Sequence, residues 1–220
     1  EVRLFYQPKV HLGSGKLTGV VALLRWQHPE RGLLQPHEFL SALESSELTL
    51  PVGEWIIHEA LRQQRKWLAE GIDVQVSVNV FGLHLQRADF VERLGVILQA
   101  YPQIDPSVLE LEIVETTALE NLKEITDRIH GCMRLGVQFS LDDFGTGYSS
   151  LTYMRQLPVS KVKVDRSFVR DMIDNNEDRA LVGTYRDKNL FGARFRLHLT
   201  DSSLDALTWA AEYLNREYGS

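Results

Sequence analysis

Apolar and polar positions alternate between two periods along this chain. Residues 4–12 alternate at period two and carry Tyr6-Gln7-Pro8. Gly13-Ser14-Gly15-Lys16 then predicts a tight turn, and so a hairpin into the next strand. That strand, residues 19–26, is apolar almost throughout, which predicts burial on both faces with Arg25 near its C-terminal end. Residues 36–46 read as a short helix with Pro36 in its first turn. Residues 51–70 read as a long helix with Trp55, Ile56, Leu61 and Trp67 on one face, stopped by Gly71.

The period then returns to two. Val74, Val76, Val78 and Val80 alternate with Gln75, Ser77, Asn79 and Phe81, and a helix is predicted over 89–100. Residues 108–114 give a strand with Glu110 and Glu112 on one face and Glu115 at its end. A helix over 120–135 stops at Gly136. Val137, Phe139 and Leu141 form the next strand, which delivers Asp142 and Asp143 to a loop holding Gly145 and Gly147. Beyond it come a helix over 149–156, a strand over 161–165 and a helix over 168–182. The pattern breaks down over 183–192, then resumes as a strand over 193–199 and a helix over 203–218 capped by Asp201 or Ser202.

Alternating strands and helices imply parallel strands joined by right-handed crossovers. No glycine-rich phosphate fingerprint follows the first strand, which disfavours a dinucleotide fold. A (β/α) barrel remains, with seven countable strands, and 220 residues is short for one.

Composition narrows the functions. A net charge of −6 argues against nonspecific binding to nucleic acid or anionic lipid, while leaving room for a small anionic ligand held by a local arginine. No apolar run approaches the ~20 residues of a membrane helix. Cys132, the single cysteine, sits beside Ile129 and Met133 on a helical face and is expected to be a core thiol. The chain opens on Glu1-Val2-Arg3 without an initiating Met, so it is expected to be part of a longer protein.

Chemistry-bearing residues gather at predicted C-terminal strand ends: Arg25, Asn79, Glu112, Glu115, Asp142, Asp143 and Lys163. An Asn carbonyl with several carboxylates suits Mg²⁺ or Mn²⁺. A nearby lysine can orient water, and an arginine can grip a phosphate. Two adjacent aspartates repel unless a cation or hydrogen-bond donors hold them. Each residue also has a structural role open to it: Asn79 bonding a loop, Glu115 capping Thr116-Thr117, Lys163 pairing with Asp142, Arg25 pairing with Glu112.

These stretches resemble the EAL domain, the phosphodiesterase and receptor domain for cyclic di-GMP. The matching segments are Tyr6-Gln7-Pro8, Ala22-Leu23-Leu24-Arg25-Trp26, Ser77-Val78-Asn79-Val80, Glu110-Leu111-Glu112-Ile113-Val114-Glu115, Asp142-Asp143-Phe144-Gly145-Thr146-Gly147, Leu157-Pro158-Val159 and Lys163-Val164-Asp165-Arg166-Ser167-Phe168. The resemblance runs in order from residue 4 to about 182. It implies an α/β fold, an EAL-type TIM-like barrel. It implies Asn79, Glu112, Asp142 and Asp143 as metal ligands for Mg²⁺ or Mn²⁺, and Lys163 beside the attacking water. It implies Glu115 as a brace for the metal-bearing loop, and Gln7, Leu23 and Arg25 as the lining of the nucleotide groove.

The departures bear on activity. The family's motif glutamate is here Val21, flanked by the apolar Val20 and Ala22. Phe81 and His84 stand where the family usually has serine and glutamine. Beyond Gly183 the expected glutamate-bearing strand and Gln-Gly strand are missing, so the C-terminal end reads as truncated or rebuilt; His198 and Asp201 are the residues there able to substitute. The expectation is therefore a barrel core over 1–182 with an atypical segment over 183–220 in the same domain. It is expected to be catalytically inactive and to act in cyclic di-GMP signalling as a nucleotide- or protein-binding module. The alternative is a metal-dependent phosphodiesterase releasing linear pGpG. A homodimer or a neighbouring signalling domain is the expected partner, stabilised in part by the stripe of Leu204, Leu207, Ala211 and Leu214. The location expected is cytoplasmic, with the cytoplasmic part of a larger, membrane-anchored protein as the alternative.

Overall fold

The computed structural model describes residues 1–11, 14–144, 156–164 and 196–199. It divides into two compact units, residues 1–112 with 123–138, and residues 113–122 with 139–220. The segments expected over 149–155, 168–182, 183–192 and 203–218, with Asp201, fall outside the described residues.

In the first unit, β1 (Val2–Val10) and β2 (Leu17–His28) form the predicted hairpin, antiparallel from Val2 opposite Trp26 to Val10 opposite Leu17. A short strand that the sequence pattern did not reveal, β3 (Gly32–Leu34), turns back on the end of β2. It carries β2 on to His28, so Arg25 lies inside the strand rather than near its end. Described strands therefore number eight, not seven. The helix expected over 36–46 is two pieces, a 3₁₀ turn at Pro36–Glu38 and α1 (Leu40–Glu44), parted at Phe39 by a non-helical φ of −141°.

Helix α2 (Thr49–Ala69) starts two residues ahead of the expected point and ends before Gly71, whose φ of +77° suits glycine. Its buried stripe is Gly53, Ile56, Ile57, Ala60, Leu61 and Gln64, while Trp55 and Trp67 stay half-buried at its margins. It packs on β1, on β4 (Gln75–Asn79) and on α3 (Gly82–Leu85). Helix α4 (Phe90–Gln99) follows with Asp89 at its N-cap position. Strand β2 pairs parallel with β4 through Ala22 and Val78, and β4 pairs parallel with the start of β5 (Leu109–Val114). One face of this sheet is apolar and buried: Val20, Ala22 and Leu24; Val76 and Val78; Leu109 and Leu111. The other face of β2 (Val21, Leu23, Arg25) is only half-buried, so the expectation of burial on both faces is corrected.

In the second unit, α5 (Glu115–Glu120) begins at Glu115, turning the expected strand-end residue into the first residue of a helix. After Asn121 at φ −149°, the helix predicted over 120–135 is α6 (Leu122–Arg134), which from Lys123 on belongs to the first unit. Cys132 of α6 is fully buried, and burial pushes its thiol up to about 12. Strands β6 (Gln138–Phe144), β7 (Lys161–Val164) and β8 (Arg196–Leu199) run parallel.

Candidate functional site

The half-buried face of the first unit is a ladder of registered residues. Gln7 lies opposite Val21, Val21 opposite Ser77, and Ser77 opposite Glu110. Phe5 lies opposite Leu23, and Asn79 opposite Glu112, two residues further along their strands. Arg3 lies opposite Arg25 beyond that. Registered partners point to the same face, because side chains alternate along each strand. The expected groove residues Gln7, Leu23 and Arg25 therefore share one face, with Asn79 and Glu112 also on adjacent strands.

Their surroundings differ. Gln7 and Asn79 are exposed, whereas Glu112 is 1% exposed. Arg25 donates through Nη1 to Leu24 O at 2.9 Å and lies 5.7 Å above the half-exposed Phe5 ring, so its bonds do not go to Glu112. Partial burial draws its pKa below the ordinary arginine value. A carboxylate is absent at position 21: Val21 sits between Gln7 and Ser77, one register step from Lys9.

Lys9, which sequence reasoning passed over, is the charged residue of that step. Its Nζ donates to Ser77 Oγ at 2.5 Å and to Glu110 Oε1 at 3.2 Å, and Ser77 Oγ donates to the same carboxylate oxygen at 2.7 Å. The available signal was Gly19, a lone glycine in an apolar strand, which marks close approach by another chain segment.

In the second unit, Asp142 and Asp143 occupy a break in register: Leu141 opposes Val162 and Phe144 opposes Val164, leaving two aspartates against Lys163 alone. That is a β-bulge, a device that re-aims side chains. Asp143 takes a φ of +52°, which aspartate tolerates better than most residues. Asp142 accepts Lys163 Nζ at 2.6 Å on Oδ2 and its neighbour's backbone N–H at 3.0 Å on Oδ1. Donors thus hold Asp142 of the expected repulsive pair, and Lys163 takes the structural role left open for it. Lys163 and Glu115 are both buried, at 6% and 1%. The backbone of His198 lies in register with Lys163. Within either unit, the described residues hold no group of three His, Cys, Asp or Glu side chains able to share a metal ion.

His84, on α3, is buried against α2 and stacks edge-on to Phe90 with ring centroids 4.9 Å apart. A Cβ on Gly53 would run into its Nδ1. Burial lowers its pKa, against the partly opposing pull of Glu54.

Residues 1–187 match the family profile of the EAL domain. The chain is 41% identical over 180 residues to the bifunctional diguanylate cyclase/cyclic di-GMP phosphodiesterase MucR of Pseudomonas aeruginosa, covering 81% of this chain and 26% of that protein. It is 36% identical over 191 residues to the cyclic di-GMP phosphodiesterase PdeR of Escherichia coli, covering 85% of this chain and 29% of that protein. The chain thus spans between a quarter and a third of the length of these relatives. Among solved structures, a PaMucR phosphodiesterase–c-di-GMP complex superposes with a TM-score of 0.87 at 35% identity, over 98% of this chain and 85% of that one.

Proposed function

Given that this chain belongs to the EAL domain family, with the α/β, TIM-like barrel class of its structural neighbours, we propose that it acts in cyclic di-GMP signalling without catalysis. It binds the nucleotide over Gln7, Leu23 and Arg25 and leaves it intact. The observation that carries this reading is Val21: a side chain without donor atoms stands in the registered row between Gln7 and Ser77, where the family's motif has a glutamate.

The remaining donors suit a hard divalent cation by their chemistry, being one amide carbonyl and three carboxylates. Asn79 and Glu112 of the first unit, and separately Asp142 and Asp143 of the second, are the donors that the family resemblance assigns to Mg²⁺ or Mn²⁺, which when bound supplies positive charge to a phosphate. Lys163 already supplies a positive charge to Asp142. Lost metal ligands commonly cost several kcal/mol in the transition state, and every ~1.4 kcal/mol is tenfold in rate. Nucleotide gripped by Arg25 with no carboxylate at position 21 is accordingly bound and kept.

Calorimetric titration with cyclic di-GMP, with and without Mg²⁺ or Mn²⁺, tests binding, and chromatography for linear pGpG tests turnover. Binding with background hydrolysis is the expected result. Metal-dependent turnover lost on Lys163→Met would replace this reading with the phosphodiesterase one, which the Asn79–Glu112 adjacency favours. Absence of binding would leave a protein-binding module. The same reading includes residues 183–220 as an atypical end of the domain and pairing with a second copy or a neighbouring domain, which light scattering resolves. Among the described residues no helix is long and apolar enough to cross a membrane; a cytoplasmic site of action is part of the proposal.

A further inference from the structure

Lys9 stands on β1, yet its ammonium bonds Ser77 on β4 and Glu110 on β5. Strand β2 lies between, and the lysine stem has to cross it. It crosses at Gly19, which is in register with both Lys9 and Gln75. A Cβ at Gly19 would stand 3.0 Å from Lys9 Cε and 2.8 Å from Gln75 O, closer than a methyl group tolerates. The glycine is the opening through which the side chain passes.

The group it reaches is buried. The Lys9 side chain is 14% exposed and that of Glu110 1%. A buried charge that loses its partner is strongly destabilising, so ammonium, hydroxyl and carboxylate stand or fall together. Each member also sits two residues from a site residue on its own strand: Lys9 from Gln7, Ser77 from Asn79, Glu110 from Glu112. Residues two apart in a strand share a face and move as one piece.

We propose that Lys9 is a positioning residue for the nucleotide site, a clamp over β2 that holds Gln7 at fixed height beside Asn79 and Glu112. In the described sheet β1 is hydrogen-bonded to β2 and not to β4 or β5; the clamp joins it to both directly. The inference rests on the reading of this face as the cyclic di-GMP groove.

Three variants of the full chain test it: Lys9→Met, Lys9→Met combined with Glu110→Gln, and Gly19→Ala. The readouts are cyclic di-GMP affinity by calorimetry, thermal unfolding, and amide hydrogen exchange at Phe5 and Gln7. Lys9→Met is expected to weaken binding about tenfold, as for a lost charge-assisted bond, and to speed exchange at both amides. The paired variant, with no orphaned carboxylate, is expected to regain thermal stability but neither affinity nor protection. Gly19→Ala, which keeps the ammonium and obstructs its path, is expected to follow Lys9→Met in binding and exchange. Affinity that recovers together with stability in the paired variant would reduce Lys9 to charge balance and overturn the proposal; so would unchanged exchange in Lys9→Met. If the unmutated protein binds no cyclic di-GMP, the functional reading fails, and exchange alone decides whether Lys9 positions Gln7.

Discussion

Lys163 Nζ reaches Asp142 Oδ2 at 2.6 Å across the bulge of β6, with both side chains largely out of water at 8% and 15% exposure. The ammonium therefore occupies an oxygen that a metal-ligating aspartate would offer elsewhere. Two aspartates against one lysine is an arrangement in which the lysine is already part of the architecture.

Lys163→Met should accordingly destabilise the fold by about 1.5–3 kcal/mol, the usual worth of a hydrogen bond to a charged group. Urea unfolding at neutral pH measures it. Adding Asp142→Asn should recover part of the loss, since the orphaned carboxylate is then neutral.

Arg25→Ala is expected to weaken cyclic di-GMP binding by about 1.5–3 kcal/mol, with a much smaller effect on stability. The side chain's own bonds are modest, one donation to Leu24 O and a position over the Phe5 ring. Calorimetry beside a thermal melt separates the two. Tight binding indifferent to this change would place the ligand elsewhere.

His84 gives the fold an acid limit. Burial holds its folded pKa below the ordinary value of 6.5, so below that pH the unfolded chain takes up a proton more readily than the folded one. Stability contributed by the neutral ring is then complete above 6.5 and lost as pH falls through the lowered folded value. The denaturation midpoint should drop between neutral pH and about pH 5, and His84→Gln should flatten that drop.

Cys132 should resist thiol reagents in the folded protein. Its thiol is held near 12 and is wholly buried, so thiolate is scarce at neutral pH. Reaction with a chromogenic disulfide should appear only in denaturant.

Much of this was legible from residue patterns, for identifiable reasons. The hairpin of β1 and β2, the parallel β4 and β5 and the long α2 follow from periods of two and 3.6. The break at Phe39, the short β3 and the start of α5 at Glu115 did not, because each depends on a few residues whose local preference is weak. Gln7, Leu23 and Arg25 were named together by the family resemblance rather than by periodicity; the register adds that Gln7 opposes Val21, which puts the three on one face. The Lys9 clamp was hidden because its partners come from strands far apart in sequence, joined by a contact that periodicity does not encode. The bulge at Asp142 and Asp143 was hidden too, since nothing in an Asp-Asp pair announces a left-handed backbone.

The Lys9–Glu110 contact closes a loop of 101 residues. A contact so distant along the chain carries a large loop-closure cost and is expected to form after the local hairpin and helix. An interaction formed late in folding contributes little to the rate of reaching the transition state and much to the rate of leaving the native state. On the proposed reading the position of Gln7 is set late, and Lys9→Met is expected to unfold faster with little change in folding rate, which stopped-flow folding measurements check.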